Sequence, residues 1–255
     1  MSLESAIADQ TTAVTALTQS VNNKMGSIDA KVQQKINELE NWRGDHIHEH
    51  PALAVNYNAS MLRLSGVAPQ RVPMSMSLNA GGNFFDKFSL NIIPVTTGDN
   101  ANERPLVVRE LLQYMGCDRQ NFSASFNIVE ITVKSLTGGF GPYVFTIPYC
   151  HVKSGAFHSV ILYHKLVGQA NWGWVNNEIH DKWNQHTTHV FTPGDAGGYT
   201  NVTLSLGNAA VGDKLYLALP QIVLGKWDPA LRAPQFFNVW DMIIDAVPSA
   251  LPSGQ

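Results

Sequence analysis

The stretch that decides the fold is Lys214-Leu215-Tyr216-Leu217-Ala218-Leu219-Pro220-Gln221-Ile222-Val223-Leu224. Its period-two and β-branched pattern marks a strand rather than a helix. Runs of the same texture occupy residues 72–78, 84–95, 123–135, 143–149, 157–167, 187–191, 199–206 and 236–245. Turn signals separate them, among them Asn79-Ala80-Gly81-Gly82, Gly98-Asp99-Asn100, Gly138-Gly139, Pro193-Gly194-Asp195 and Gly207-Asn208. Short strands spaced in this way predict a mainly β chain, with an antiparallel β-sandwich or jelly-roll head over residues 53–246. One short helix interrupts the strands. Pro105 sits in its first turn, Leu106, Val107, Leu111, Leu112 and Met115 give it an apolar face, and Gly116 ends it. Residues 247–255, with Pro248, Pro252 and Gly254, read as a disordered tail.

Upstream the pattern is different. Between residues 1 and 42 there is no proline, and Gly26 is the one glycine. Leu3, Ile7, Val14, Leu17, Val21, Met25, Ile28, Val32, Ile36 and Leu39 fall mostly at steps of three, four or seven, on one helical stripe. Gln10 takes the seam position between Ile7 and Val14, and Leu17-Val21-Met25 reads as a stutter. So thin a stripe is not stable alone in water. The rest of the chain offers no long partner helix, so residues 1–42 are expected to form a coiled-coil stalk, as a homotrimer. Residues 43–52 then make a neck.

Composition narrows the function. Charged residues are 15% of the chain, against about 25% in an average soluble domain. A net charge of −3 gives nucleic acid no basic surface. Neither an export signal nor a spanning segment is visible, so synthesis in a cytoplasm without membrane insertion is expected. Cys117 and Cys150 read as free core thiols, with a single disulfide as the alternative.

Two clusters are the candidates for chemistry. In His46-Ile47-His48-Glu49-His50, an extended backbone would turn His46, His48 and His50 to one side. Two such histidines from each of three chains would surround a structural transition-metal ion, iron, nickel or zinc, on the trimer axis. The bland reading is a solvated hinge. The second cluster is Trp172-Gly173-Trp174-Val175-Asn176-Asn177-Glu178, followed by His180 and Trp183. Tryptophan faces stack on sugars, while Asn176, Glu178 and His180 would bond their hydroxyls. The competing reading puts these tryptophans in the core. His180, His186 and His189 read as surface-loop residues; His151, His158 and His164 read as satisfied strand residues. Arg43-Gly44-Asp45 reads as a helix-ending glycine with flanking charges. No nucleophile elbow, phosphate loop or dinucleotide fingerprint is present. The one carboxylate pair worth weighing for a glycan-modifying enzyme is Glu178 with Asp181.

The opening Leu3-Glu4-Ser5-Ala6-Ile7-Ala8-Asp9-Gln10, with Asn23-Lys24-Met25-Gly26-Ser27-Ile28-Asp29, resembles the N-terminal helices of tailed-bacteriophage tail fibres. Gly212-Asp213-Lys214 through Leu219-Pro220-Gln221-Ile222, with Gly225 beyond, resembles the last strands of phage jelly-roll modules. The histidine repeat is similar to ion-binding repeats of trimeric fibres. The resemblance implies a virion protein, not an enzyme, that binds a host-surface glycan or protein through its head and other tail or virion proteins through its N-terminus. A capsid or tail decoration or adaptor protein is the alternative it leaves open.

Overall fold

The chain falls into two units, residues 1–50 and 51–255. A computed structural model describes residues 2–49, 53–79, 83–152, 157–173, 175, 179–191, 198–238 and 240. The tail expected at 247–255 lies outside them.

The first unit is one helix, α1 (Leu3–Glu49), 47 residues long. At 1.5 Å per residue it spans about 70 Å. Every described side chain from Ser2 to Trp42 is exposed. The ten stripe residues are each at least 43% exposed. Thr11, Thr12, Thr15 and Thr18 donate their hydroxyls to the carbonyls four residues back, so these side chains are satisfied within the helix. The helix does not stop at residue 42 or at Gly44, as the sequence suggested. One interior glycine costs a helix only about 1 kcal/mol, whereas Pro51, just past the end, cannot continue one.

The second unit is built from β1 (Leu53–Ala54), β2 (Leu64–Ser65), β3 (Val72–Pro73), β4 (Ser77–Leu78), α2 (Phe84–Lys87), β5 (Phe88–Val95), α3 (Leu106–Met115) and β6 (Phe126–Val133). There follow β7 (Phe145–Val152), β8 (Phe157–Val167), β9 (Asn171–Trp172), β10 (Trp183–Phe191), β11 (Gly198–Leu204), β12 (Leu206–Gly207), β13 (Lys214–Leu224) and β14 (Phe237–Asn238). The expected strand at 84–95 begins as a helical turn instead, because the Asn83 side chain accepts the Phe85 N–H and caps it.

β13 is the centre of the large sheet. One flank pairs antiparallel with β8, which pairs with β10. The other flank changes partner partway along. Residues 214–218 pair with β6, which pairs with β5, while Val223 pairs with Ala54 of β1, beside which β14 runs parallel. The change falls at Leu219-Pro220, where the register shifts. Proline has no N–H for a ladder, and Leu219 sits at φ 47°. Gly225 then ends the strand at φ 88°. The Leu-Pro-Gln segment is therefore a bulge inside the strand, with its glycine just beyond.

A smaller sheet runs in the order β11-β7-β4. One core draws on both sheets: Val129, Ile131, Leu162 and Leu217 from the large one meet Phe145, Ile147 and Leu204 from the small one. On the other face of the large sheet, Val108, Leu111 and Leu112 of α3 pack on Ile128, Tyr163, Ala218 and Leu219. Gly116 caps α3 at φ 74° as expected, and Pro105 stands at its N-cap. Cys117 is a free, half-buried thiol whose ionisation burial pushes up. No helix among the described residues is long and apolar enough to cross a membrane.

Candidate functional site

The tryptophan platform expected at residues 172–183 is corrected by the fold. β9 pairs with β12 so that Trp172 stands beside Leu206 and turns inward. It is fully buried, with Phe88 and Phe145 each at a ring separation of 6.1 Å. Gly173 is required next to it: a Cβ there would lie 2.9 Å from the Ser205 nitrogen. Trp183 is 4% exposed, donates its indole N–H to the Val107 carbonyl at 3.1 Å and sits against Tyr216. Both are core residues because each indole finds more apolar area beneath it than a surface strand would offer. Trp174, Asn176 and Glu178 lie outside the described residues. His180 is half-buried, with an unpartnered Nδ1 among the described residues. Asp181 is exposed, at φ 60°, and its N–H bonds the Leu166 carbonyl.

What the structure does bring together is a polar row on the α3 side of the large sheet. The pairings Asn91 with Glu130, Glu130 with Tyr216, Tyr216 with Lys165 and Lys165 with Trp183 place five residues in line across five strands. Ser89, Thr132 and Lys214 lie in the next row. Lys214 Nζ contacts Glu130 Oε1 at 2.9 Å, and Lys165 Nζ contacts Glu110 Oε2 of α3 at 2.7 Å. Hydrogen bonding to Glu130 holds the Lys214 ammonium above the usual lysine range. Burial, with the Glu130 charge behind it, raises the Tyr216 phenol. Ion pairs of this exposure contribute at most about 1 kcal/mol to stability. Their geometry instead lines up amide, carboxylate, phenol and ammonium groups across the sheet from Asn91 to Lys165, where the row meets Glu110 of α3, and such donors and acceptors suit a hydroxyl-rich ligand.

This row was missed in the sequence, although its signal was there. Glu130, Lys165, Lys214 and Tyr216 are the polar or amphipathic positions in strands otherwise made of Ile, Val and Leu. Sequence does not give the register that aligns them.

The neck expectation also changes. His46 and His48 stand on helical backbone, not on the extended backbone that the expectation assumed. His50 lies outside the described residues. Among those described, no group of three His, Cys, Asp or Glu is placed to hold a metal ion. Of the other histidines, His186 lies on β10 and not in a loop, and His189 shares a 3.0 Å hydrogen bond with Ser159. His164 is fully buried with neither ring nitrogen partnered, contrary to the satisfied residue expected from sequence. Burial, and then neighbouring His186, lower its pKa to about 4.

In comparison with known proteins, no family model matches this chain and no curated protein gives a significant match.

Proposed function

We propose that the protein is a homotrimeric virion attachment fibre of a tailed bacteriophage, with a coiled-coil stalk and a jelly-roll-like sandwich head that binds a host-surface glycan. The observation that carries it is α1: a 47-residue helix whose ten stripe residues are all open to water. A helix of that kind is stable when copies of itself bury the stripe. Trimerisation also gives a weak receptor site three copies on one stalk, and linked sites gain avidity without any new contact. We assign the receptor to the polar row of Asn91, Glu130, Tyr216 and Lys165, and keep Trp174, Asn176 and Glu178 as further candidate contacts.

Native mass spectrometry of the full chain tests the assembly. The expected species has the mass of three 28.0 kDa chains, and a monomer overturns the fibre reading. The same spectrum reads any iron, nickel or zinc held near His46, His48 and His50. A trimer that binds nothing on a bacterial surface-glycan array would turn the reading toward a decoration or adaptor protein.

A further inference from the structure

Among the described residues, the inner face of the large sheet is not covered along its whole length. Val55, Val160, Val202 and Ile222 form a small apolar cluster on it. Two residues further along each strand, the cover ends. Ala54 pairs with Val223, so the antiparallel register sets Leu53 opposite Leu224, and Leu53 pairs directly with Phe237. Side chains two apart on a strand share a face, so Leu224, Leu53 and Phe237 continue the face of Ile222 and Val55. They make one row across β13, β1 and β14. The row starts from His158, opposite Leu224 and fully buried, and then opens: Leu224 is 50% exposed, Leu53 39% and Phe237 51%. Beyond it Trp240, ring-edge to Tyr57, is 48% exposed. Three adjacent large apolar side chains on one sheet face are the pattern of an interaction surface rather than of scattered surface residues.

The chain itself indicates what covers the row. Leu53 is the first described residue of the head, and residues 50–52 alone separate it from Glu49 at the end of α1. If copies of α1 are bundled, Leu53 is the described head residue on the shortest tether to the bundle. Around a threefold axis most contacts join one patch to a different one, and only residues close to the axis meet their own counterparts.

We infer that Leu53, Leu224 and Phe237 form the head-to-head contact between three copies of this chain, with Leu53 and Phe237 close to the threefold axis. This rests on the trimer proposed above. The row gives the heads an apolar seam of their own, and burial there stabilises at about 25 cal/mol per Å².

The test uses the full chain carrying Leu53→Cys or Phe237→Cys, treated with a short bismaleimide and run on a denaturing gel beside the wild type. Val67→Cys, at an 82% exposed site outside this row, is the control. The expected result is a covalent dimer with residual monomer from both row variants, since two of three axial thiols are joined. The control and the wild type stay monomeric on the gel. Native mass spectra of the same samples separate the two ideas. A trimer in which neither row variant links beyond the control overturns the axial seam and leaves the fibre intact. A monomeric wild type overturns both. Leu224→Asp adds a reading without cross-linking: the trimer is expected to dissociate at a lower temperature than wild type, and an unchanged dissociation temperature counts against the seam.

Discussion

The side-chain amide of Asn56 repairs the ladder that Pro220 breaks. Its Nδ2 donates to the Pro220 carbonyl at 2.8 Å, and its Oδ1 accepts the Ile222 N–H at 2.7 Å. One amide thus stands in for a peptide unit across the bulge where β13 changes partners. Gln221, also on β13, ties down the segment that leads into β14, donating to the Pro234 carbonyl and accepting from Phe236 N–H. Asn238 in turn donates to the carbonyl of Asn56. All three amides are buried. Asn56→Ala would leave a buried donor and a buried acceptor unpaired, each worth about 1–3 kcal/mol. The variant is expected to lose about 3 kcal/mol of stability, read as a lower urea midpoint at unchanged slope. A midpoint within error of wild type would mean that water enters the bulge.

Trp172 and Tyr216 should respond oppositely to truncation. Trp172→Ala removes a fully buried indole from the core between Phe88 and Phe145, and such changes destabilise by about 3–5 kcal/mol. Tyr216→Ala, in the half-buried polar row, is expected to leave the fold standing and to weaken binding on a bacterial glycan array by at least about tenfold, or 1.4 kcal/mol. Paired unfolding curves and array titrations separate the two effects. Unchanged array binding by Tyr216→Ala removes the row from the receptor site.

Much of this fold was legible because strand patterning is local. The runs at 157–167 and 214–224 match β8 and β13 residue for residue, and the helix ending at Gly116 needed only its apolar face and its glycine. Partner choice was not legible. The switch of β13 from β6 to β1 depends on Asn56, more than 160 residues away, and no pattern within β13 announces it. The tryptophan cluster misled for a related reason. Alternation says that two residues share a face, but not which face is wet, and Trp172 is turned inward by its pairing with Leu206. For His46 and His48 the extended backbone read from the sequence gives way to helix, because α1 continues to Glu49 and nothing local in the histidine repeat stops it.

The helicity of α1 should depend on assembly. Its stripe residues are exposed in the single chain, and a helix without tertiary burial is marginal in water. Ile28→Asp with Val32→Asp places two charges in the proposed seam. Sedimentation is expected to show a shift from trimer toward monomer, and circular dichroism at 222 nm to fall with it, while head strands keep their signal. Wild-type helicity should likewise fall on dilution through the dissociation range. Helicity that stays constant while mass drops would mean that the helix stands without its copies.

His164 is expected to make the head acid-sensitive. The imidazole sits at 0% exposure with both nitrogens unpartnered, beside His186, whose own pKa burial also lowers. Its folded pKa is about 4 against an ordinary value of 6.5. The folded state therefore holds it neutral where the unfolded chain already binds a proton. Stability is full above pH 6.5, declines as pH falls through 6.5, and stops declining below about 4, where both states are protonated. Two and a half pH units at 1.36 kcal/mol each set the full loss at about 3 kcal/mol. Urea midpoints measured from pH 7.5 to 4.5 should trace most of that decline. His164→Leu removes the titrating group and, by replacing an unpartnered polar ring with an apolar side chain, is expected to be neutral or stabilising at pH 7. Its midpoint should lose much of the acid dependence, with His186 supplying the remainder. A variant that keeps the full wild-type slope would assign the acid sensitivity to other groups.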